Sequence, residues 1–401
     1  MSATERCQVV IAGAGPVGTV MATLLAQAGI DTIVLEAGAD CAQDLRASTF
    51  HPPTLEMLDQ IGITPMLIER GLKAPIYHWR DRHSGEVIEF DLTEISDVTR
   101  YPFRIQCEQY HLSRALAEGL ERYTSADIRF SNRLLAFEQD DEGVSVHVET
   151  PTDIRHIRCD WLIGADGANS IVRKWLGIEF DGFTYPERFL CLSTDTELGD
   201  YLPNLAHVNY VSDPDEWLVL LRVPSVWRVL LPTIVDQSDD ELRSDETKNT
   251  VFDRLIGNGA AVRTFHRTLY RVHQRVAQSF VQGRVMLIGD AAHLNNPLGG
   301  FGMNSGVHDA FNLFEKLQLA IKAGKPNGSL AQFDRQRRQV THAFTQAQTI
   351  QNMAYMRGGA GEEHALRRAD MLALHDDDDR RRRYLLRQAM FESLDQAAAI
   401  Q

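Results

Sequence analysis

The segment spanning residues 9–36 constrains the fold of this chain more than any other stretch. It opens with a short apolar run rich in β-branched residues, residues 9–12, which predicts a buried strand. The next six residues match G-x-G-x-x-G, and behind them apolar residues recur three and four positions apart, as on one face of a helix. A second apolar run, residues 32–35, ends at Glu36. Strand, glycine turn, helix, strand and terminal acid together predict a dinucleotide-binding βαβ unit.

Each part of this unit has a physical task. Gly13 permits the tight turn, Gly15 lets the backbone approach a pyrophosphate, and Gly18 lets helix and strand pack closely. The first amides of the helix are unpaired and point at the anion. Glu36 can accept hydrogen bonds from ribose hydroxyls, so an ADP moiety is expected here, and a bare glycine-rich turn is the alternative. The residues expected to hold this moiety are Gly13, Gly15, Pro16, Val17, Gly18, Glu36 and Ala37.

Composition and charge exclude several classes of protein. The chain has 401 residues, enough for about two domains, and its hydrophobic content of 44% is ordinary for a globular protein. The formal net charge of -14 argues against binding to nucleic acid or to anionic membrane, because both are negative themselves. The N-terminus leads directly into the first predicted strand and no apolar run reaches the length of a membrane span, so we expect a cytoplasmic protein.

The cysteines and histidines show no spacing typical of disulfides or metal sites. The five cysteines are scattered and odd in number, which agrees with a reduced, cytoplasmic location. The 14 histidines form no cluster with ligand spacing, so no metal is predicted.

The order of predicted elements divides the chain into two domains and a helical end. Residues 1–75, 102–179 and 276–328 alternate strand and helix patterns and are assigned to one discontinuous nucleotide-binding domain. Residues 76–101 and 180–275 predict a mostly antiparallel sheet that is inserted in it. Residues 329–401 are expected to be helical, and the charge block at residues 376–383 to be a solvated helical face. The fold class is therefore α/β, with a Rossmann-like domain, an inserted β-rich substrate domain and a helical C-terminal region.

Two further motifs identify the cofactor that carries the ADP moiety. The first is Asp160-x-x-x-Gly164-x-Asp166-Gly167-x-x-Ser170-x-x-Arg173. The second is Gly289-Asp290-Ala291-Ala292-His293, followed by Pro297, Gly299, Gly300, Gly302, Met303 and Asn304. In this order, behind the nucleotide-binding unit, they make the chain resemble the single-component FAD-dependent aromatic hydroxylases, the p-hydroxybenzoate hydroxylase-like group. The resemblance extends to about residue 317 and is weak in the β-rich domain.

The resemblance implies FAD as the cofactor and carries roles to matching positions. Arg46 matches an arginine near the FAD ribose and pyrophosphate, with a solvated surface arginine as the alternative. Gln109 resembles an FAD-contacting glutamine, although Ser113 stands where an acid is usual. Asp290 matches the aspartate that bonds the ribityl chain, and a turn acid is its alternative. The FAD contacts implied beyond the ADP site are Arg46, Gln109, Asp166, Gly167, Gly289, Asp290, Pro297, Gly300, Gly302, Met303 and Asn304.

Physical chemistry supports these roles near the second motif. A glycine-rich run lets backbone amides approach a ring that side chains would block. A helix starting near Met303 directs its positive end towards the flavin N1–C2=O edge, where negative charge collects on reduction. His293 is expected to hold the loop together and not to act as a general base. The chain departs from the common pattern at Asn295-Asn296-Pro297, where many members have two prolines, and at Phe301, where Gln or Lys is frequent.

The implied activity is that of an FAD-dependent monooxygenase. NADH or NADPH would reduce the flavin, O2 would give a C4a-hydroperoxide, and a phenolic or hydroxylated heteroaromatic small molecule would be hydroxylated. The residues expected at the reaction centre are Pro297, Gly299, Gly300, Tyr210 and His207. A Tyr or His could assist phenol deprotonation, and Arg222 could bind a substrate carboxylate. Sheet packing or surface hydration is the alternative for these and for the other candidates, Tyr185, Asn209 and Trp217.

Two other classes of function stay open on the sequence. One is a flavin oxidoreductase without oxygen insertion, such as a reductase or a halogenase, which the mass of the product distinguishes. The other is a flavin-binding redox or interaction protein whose C-terminal helices form a docking surface. A homodimer is considered as the assembly, although the sequence does not set the oligomeric state.

Overall fold

The computed structural model of the chain describes residues 5–43, 47–213, 216–233, 236–357 and 362–401. Its strands, numbered in chain order, are β1 (Glu5–Ala12), β2 (Thr32–Leu35), β3 (Thr49–Phe50), β4 (Leu72–Ala74), β5 (Ile76–Asp81), β6 (Val87–Asp91), β7 (Arg104–Gln106), β8 (Ala126–Arg129), β9 (Arg133–Gln139), β10 (Val144–Glu149), β11 (Ile154–Gly164), β12 (Phe180–Thr194), β13 (Val208–Ser212), β14 (Leu218–Arg222), β15 (Trp227–Pro232), β16 (Thr264–Ala277), β17 (Val281–Gln282), β18 (Val285–Leu287) and β19 (His293–Leu294).

Its helices, numbered in the same way, are α1 (Pro16–Gln27), α2 (Pro52–Gln60), α3 (Thr64–Arg70), α4 (Gln109–Leu120), α5 (Ile171–Trp175), α6 (Asp239–Leu242), α7 (Asp245–Ile256), α8 (Phe301–Ala323), α9 (Gly328–Val340), α10 (Ala347–Arg357), α11 (Glu362–Asp376), α12 (Asp378–Gln388) and α13 (Phe391–Ala399). A π-helix, Thr341–Gln346, connects α9 to α10. The small sheet β3–β7–β4 is antiparallel.

The first large sheet brings four loops to one edge. Its strands β18, β11, β1, β2 and β8 lie side by side in this order and are all parallel, and β9 and β10 extend antiparallel from β11. Ala12 lies opposite Gly164 and Leu35, and Gly164 lies opposite Leu287. Because the carboxyl ends of parallel strands meet at the same edge, the loops after β1, β2, β11 and β18 converge there.

The helix α1 follows β1 as the sequence predicts. Pro16 occupies the first turn of α1, where a missing N–H costs nothing. Gly29, just after the helix, adopts the left-handed region with φ +70° and terminates it. The helix packs against α4 and α8. The apolar side chains of α1 pack in the main core with those of β1, β2 and β11. The glycine turn between β1 and α1 is therefore fixed by the element on each side of it.

The second large sheet has one face on a core and one face on a cavity. Its strand order is β19, β16, β12, β15, β14, β13, β5 and β6, and its pairs are antiparallel except for the parallel pair β13–β5. Leu218 and Leu220 of β14 pack into a core with Phe252 of α7. Val219 and Leu221, which alternate with them along the strand, line the cavity. This period of two is expected for a half-buried strand.

The helices after α8 form the expected C-terminal region, and its charge block is only partly the expected solvated face, because residues 376–379 and 383 are exposed while Arg381 and Arg382 form ion pairs. The helix breaks inside the block, because the Asp377 side chain accepts from Arg380 N and begins α12 there. Arg381 then pairs with Glu94 at 2.9 Å and Arg382 with Asp97 at 2.6 Å. The block therefore fastens α12 to the segment after β6.

The expected fold class is confirmed: a Rossmann-like α/β sheet, a mostly antiparallel second sheet and a helical end. The β5–β6 hairpin lies at the edge of the second sheet, beside β13. One strand crosses between the predicted domains, since β19 pairs with β16 although it follows β18. Among the helices that the structure describes, none combines the length and apolar character needed to cross a bilayer.

Candidate active site

A cavity of about 700 Å³ lies where the two large sheets meet. One wall is the loop edge of the first sheet, and the other is the inner face of the second sheet. The predicted residues that line it are Gly13, Gly15, Pro16, Val17, Glu36, Ala37, Gln109, Asp166, Gly167, Tyr210, Asp290, Pro297, Gly300, Gly302 and Met303.

Five predicted residues lie outside the cavity lining. They are Gly18, His207, Gly289, Gly299 and Asn304. Arg46 falls outside the residues that the structure describes. His207 differs most from its expected catalytic role, because it does not line the cavity and its Nδ1 lies 3.2 Å from the Lys73 carbonyl oxygen in a solvent-exposed contact.

The end of the cavity beside β1 and β2 fits a ribose and a pyrophosphate. A Cβ added to Gly15 would meet no protein atom within 4 Å, so this backbone borders open space that a ligand can fill. Within the described chain no side chain caps α1, and its first amides remain available to an anion. Glu36 is fixed beside them, because its two oxygens accept from Ala14 N and Gly38 N at 2.8 Å each.

Gly13 and Gly18 shape the turn from behind. Gly13 adopts φ +102°, and a Cβ on it would lie 2.4 Å from the Ala165 carbonyl oxygen. A Cβ on Gly18 would lie 2.0 Å from the Gly13 carbonyl oxygen. Gly18 therefore permits close packing of the helix on the turn itself, rather than on the strand as expected.

The two carboxylate oxygens of Asp166 have different roles: one orders the protein backbone and the other is available to a ligand. Its Oδ2 accepts from Ile171 N at 2.7 Å and from Val172 N at 3.1 Å, which orders the start of α5. Its Oδ1 is buried and has no hydrogen-bond partner among residues that the structure describes. Burial raises the pKa of this carboxyl. Since Asp166 lines the cavity, a bound hydroxyl or amide would satisfy that oxygen.

Arg173 ties together the two loops that carry the downstream motifs. Its Nη1 donates to the Ala291 carbonyl oxygen at 2.7 Å, and its Nη2 donates to the Ala168 carbonyl oxygen at 2.8 Å. Its guanidinium also lies 3.8 Å from the centre of the Phe180 ring. The motif arginine thus fixes the loop after β11 relative to the loop after β18.

A buried ion network lies behind Asp290. Asp309 of α8 accepts from Gly289 N at 3.0 Å and His293 Nε2 at 2.8 Å with one oxygen, and from Arg337 Nε at 2.6 Å with the other. Burial by itself raises the pKa of Asp309, but His293 and Arg337 outweigh burial and bring it to about 2. The network holds Gly289 at φ +60° and presents Asp290 to the cavity. His293 thus holds its loop, as expected, while Asp309 and Arg337 carried no sequence signal.

The loop before α8 is held by His51 and Asn304. Gly299 and Gly300 are both left-handed, with φ +100° and +72°. Burial lowers the pKa of His51 well below its ordinary value, so its ring is neutral, and its Nε2 donates to the Gly299 carbonyl oxygen at 2.7 Å. Asn304 donates to the carbonyl oxygens of Thr49 and Gly300 at 2.8 and 2.6 Å. The Asn304 side chain therefore supports the loop from within.

Asn296, a departure from the common pattern, fastens the same loop to the C-terminal region. Its backbone N–H donates to Gln274 Oε1 at 2.9 Å, and its Nδ2 donates to the Thr349 carbonyl oxygen at 2.9 Å. Its Oδ1 accepts from Leu298 N at 3.1 Å. Gln346 of the π-helix donates to the Leu294 carbonyl oxygen at 2.8 Å. The segment beside the expected reaction centre is thus anchored on the π-helix and α10.

Asn296→Pro, which restores two consecutive prolines, is expected to lower the free energy of unfolding by about 2–4 kcal/mol. Proline has neither the backbone N–H nor the amide, so Gln274 Oε1 and the Thr349 carbonyl oxygen lose their donors while buried. Urea unfolding measures the change. Gln278→Ala, which removes an exposed amide bonded to Asp181, serves as the control with an effect below about 1 kcal/mol. Wild-type stability of Asn296→Pro would contradict the anchoring role.

The substrate candidates differ in their access to the cavity. Tyr210 lines the cavity, whereas Tyr185 and Trp217 do not line it but pack in the cluster that includes Met353, Met356 and cavity-lining residues such as Val219. Asn209 is buried and bonds the backbone of Ala206. Arg222 lies outside the cavity lining and pairs with Glu197 at 3.5 Å. The cavity residues of the second sheet that sequence reasoning missed are Cys191, Val219, Leu221, Arg228, Leu230, Tyr270, Arg271, Val272 and His273.

One group of residues has the composition of a metal site. Ligand atoms of Cys107, Glu108 and His111 lie within 4.8 Å of one another. Burial raises the pKa of the Cys107 thiol to about 12, which disfavours the thiolate that metals require. The absence of a metal stays a prediction.

The residues present fit FAD. The first turns of α1 and α8 face the two ends of one cavity. Neither turn is capped by a side chain of the described residues, so their amides are available to a ligand. Gly15 leaves room for a pyrophosphate, Asp166 has a buried oxygen without a partner, and Glu36 and Asp290 offer carboxylates at strand ends. Together they match an elongated ligand with an ADP half and a ring that gains negative charge.

Comparison with known proteins agrees with this site. A family model described as an FAD binding domain matches residues 6–348. The para-nitrophenol 4-monooxygenase of Pseudomonas sp. strain WBC-3 is 34% identical over 354 residues, which cover 87% of this chain and 87% of that protein. The 6-hydroxy-3-succinoylpyridine 3-monooxygenase of Pseudomonas putida is 32% identical over 370 residues, which cover 90% of this chain and 92% of that protein.

Solved structures extend the likeness over the whole fold. The p-nitrophenol 4-monooxygenase of Pseudomonas putida DLL-E4 gives a TM-score of 0.91 at 31% identity and covers 98% of this chain and 99% of its own. A flavin-dependent monooxygenase in complex with FAD and substrate gives a TM-score of 0.81 at 25% identity, covering 98% of this chain and 73% of its own.

The fold and the site therefore define an FAD-binding oxidoreductase. More closely, the chain belongs to the single-component FAD-dependent aromatic hydroxylases, as its three motifs predict. FAD is confirmed as the cofactor, and the enzyme is a monooxygenase, a class that consumes O2 together with an NAD(P)H electron donor. The alternatives of a reductase or halogenase are not favoured by these relatives.

Proposed function

We propose that this protein hydroxylates a small phenolic or hydroxylated heteroaromatic compound, using NADH or NADPH and O2. The observation that carries the proposal is the continuity of the cavity, which joins the FAD-binding edge of the first sheet to an apolar face of the second sheet. An aromatic ring fits that face, and Tyr210 provides a hydroxyl beside it. The names of the relatives, a nitrophenol and a hydroxypyridine monooxygenase, support the same class of substrate.

The chain's own residues hold the cofactor and orient the substrate. Gly15, Glu36, Asp166 and Asp290 would hold FAD, which supplies electron transfer from NAD(P)H and the activation of O2 when bound. The uncapped amides at the start of α8 stabilise negative charge at that end of the cavity.

The second sheet and the loop before α8 would shape the reaction centre. Leu298 and Phe301 border the cavity with apolar surface that excludes water from a reacting ring. Tyr210 lines the cavity, and its hydroxyl would hydrogen-bond a substrate hydroxyl and assist its deprotonation. Pro297 and Gly300 line the same end, which supports their assignment to the reaction centre.

The FAD-loaded protein is expected to oxidise NADH or NADPH faster in the presence of some phenols or hydroxypyridines than without them. Oxidation is followed by absorbance across a panel of both classes, and the product is analysed by mass spectrometry after reaction in isotopically labelled O2. One labelled oxygen atom per product molecule is expected. Acceleration without incorporated oxygen would favour a reductase, a halogenated product would favour a halogenase, and either result would overturn the proposal.

Three further properties remain predictions of the sequence. The five cysteines are all free in the structure, which supports a reduced, cytoplasmic location. The net charge of -14 supports the absence of nucleic-acid and membrane partners. A homodimer is a further expectation, and sedimentation of the FAD-loaded protein tests it.

A further inference from the structure

The cavity wall contains a buried cation whose donor atoms have no hydrogen-bond partner in the described part of the chain. Arg228 of β15 lines the cavity and is only 2% exposed. Its Nε, Nη1 and Nη2 have no hydrogen-bond partner among residues within the described ranges. Leaving a guanidinium buried and unpaired is costly, since each unsatisfied donor loses its water without replacement.

The neighbouring carboxylate does not satisfy this guanidinium. Glu108 Oε1 lies 3.9 Å from Arg228 Nη2, beyond hydrogen-bond range, and the same oxygen accepts from Ser225 Oγ at 3.3 Å. On its other side Glu108 Oε2 lies 3.9 Å from His111 Nε2. Glu108 therefore offsets the charge of Arg228 at a distance and leaves its donors free.

Three other buried arginines of this protein differ from Arg228 in the partners of their guanidinium groups or in their position relative to the cavity. Arg337 donates to a carboxylate oxygen at 2.6 Å, and Arg173 donates to two carbonyl oxygens. Arg104 also has unpaired nitrogens, but it lies 4.2 Å from the centre of the Tyr77 ring and outside the cavity lining. Arg228 alone of these four combines burial, three free nitrogens and a place in the cavity wall.

The surroundings of Arg228 are those of an aromatic ring site. It lies opposite Leu221 in the strand register, and Leu230, two positions along the same strand, lies opposite Val219 and Cys191. These side chains line the cavity with Arg228, so its neighbours on β12, β14 and β15 are apolar, while Arg271 and His273 line the cavity from β16. A planar ligand with an acidic group at one end complements such a wall.

We propose that Arg228 is a specificity-determining residue that binds an ionised oxygen of the aromatic substrate, either a phenolate or an acidic substituent. This inference rests on the proposed function, because it names the class of substrate for the same cavity. The second sheet supplies Arg228, whereas the FAD contacts come from loops of the first sheet, which favours the substrate over the cofactor as the anion. The enzyme thereby selects aromatic anions over neutral rings of the same shape.

The proposal also sets the expected stability of variants. Because the Glu108 carboxylate lies 3.9 Å from Arg228, replacing the arginine alone leaves a buried charge uncompensated, so stability is compared in the double variant Arg228→Met with Glu108→Gln. The donors of Arg228 make no hydrogen bond to the described residues, so this double variant should melt at or above the wild-type temperature. A clearly lower melting temperature of the double variant would contradict the proposal.

The test measures binding of matched neutral and anionic ligands to the FAD-loaded protein, without turnover. Changes in flavin absorbance report the affinity for 4-nitrophenol, which can ionise, and for 4-nitroanisole, its methyl ether, which cannot. The wild type is expected to prefer 4-nitrophenol by roughly 10- to 100-fold. Arg228→Met should lose that preference, and Arg228→Lys should keep part of it. Arg222→Met, on the neighbouring strand but outside the cavity, is the matched control and should keep all of it.

The outcomes separate this inference from the proposed function. If the wild type binds neither compound nor any other phenol, the proposed function fails. If it binds both compounds equally, or if Arg228→Met keeps the preference, the role of Arg228 is overturned and the proposed function stands. A shift in the flavin midpoint potential of Arg228→Met with an unchanged ligand preference would assign the cation to the cofactor, which also overturns the inference.

Discussion

Gly18→Ala is expected to abolish FAD binding and to cost at least about 3 kcal/mol of stability. The added Cβ would lie 2.0 Å from the carbonyl oxygen of Gly13, a backbone atom that cannot move aside alone. Gly13 is itself held at φ +102° against Ala165, so the strain spreads into the loop after β11. Urea unfolding of the apoprotein and titration with FAD measure the two effects.

Gly15→Ala, three residues earlier, provides the matched control. A Cβ there meets no protein atom within 4 Å, and the φ of Gly15 is -69°, which alanine adopts without strain. The apoprotein should therefore be as stable as the wild type. Its affinity for FAD should fall roughly 10-fold or more, because the methyl group occupies the space left for the pyrophosphate. Equal damage to the fold by both substitutions would contradict the separate roles of the two glycines.

Asp309→Asn is expected to lower the free energy of unfolding by about 3–5 kcal/mol. The substitution removes the carboxylate from Arg337, which is 1% exposed, and leaves its charge uncompensated in the core. It also weakens the bonds to His293 and to Gly289 N that hold the loop after β18. Urea unfolding measures the loss, and weaker FAD binding should accompany it because Asp290 is displaced.

The pH dependence of the same group has a defined sign. The pKa of Asp309 is about 2 in the folded protein, below its ordinary value. A carboxyl with a lowered folded pKa binds fewer protons when folded, so its contribution is present above about pH 4 and is lost as the pH falls towards 2. Asp59→Asn, which breaks an exposed pair with Arg100, should cost less than about 1 kcal/mol. A similar loss in both variants would contradict the importance of the buried network.

The nucleotide half of the site could be predicted from the sequence because its parts are local. The turn, the helix and Glu36 follow one another within residues 9–36, and the spacing alone brings them together. The residues that support the site are not local. Asp309 meets Arg337 across 28 residues, and Asn304 meets the backbone of His51 across 253. Such partners carry no spacing signal, since the fold decides which side chains meet.

For the substrate half of the site, the sequence predicts a half-buried sheet but not which of its residues line the cavity. The alternating pattern of β14 and β15 indicates a half-buried sheet, yet it does not tell which face meets the cavity. Arg222 was the arginine expected to bind an acidic substrate, and it lies outside the cavity lining. Arg228 lies opposite Leu221, the immediate neighbour of Arg222, and therefore occupies the other face. Arg222 and Arg228 thus differ by one residue in the register of β14 and β15, and this difference places them on opposite faces of the sheet.

The strand order of the first sheet also decides when this protein can acquire its cofactor during synthesis. The walls of the FAD cavity extend from Ala12 to Met303, and β1 remains beside an open edge until β11 and β18 are made. A growing chain therefore exposes the apolar strands β1 and β2 long before the cavity closes, a state that favours aggregation. The cavity is complete only once the chain has been made as far as Met303, so we expect full FAD binding late in synthesis, on a nearly finished chain.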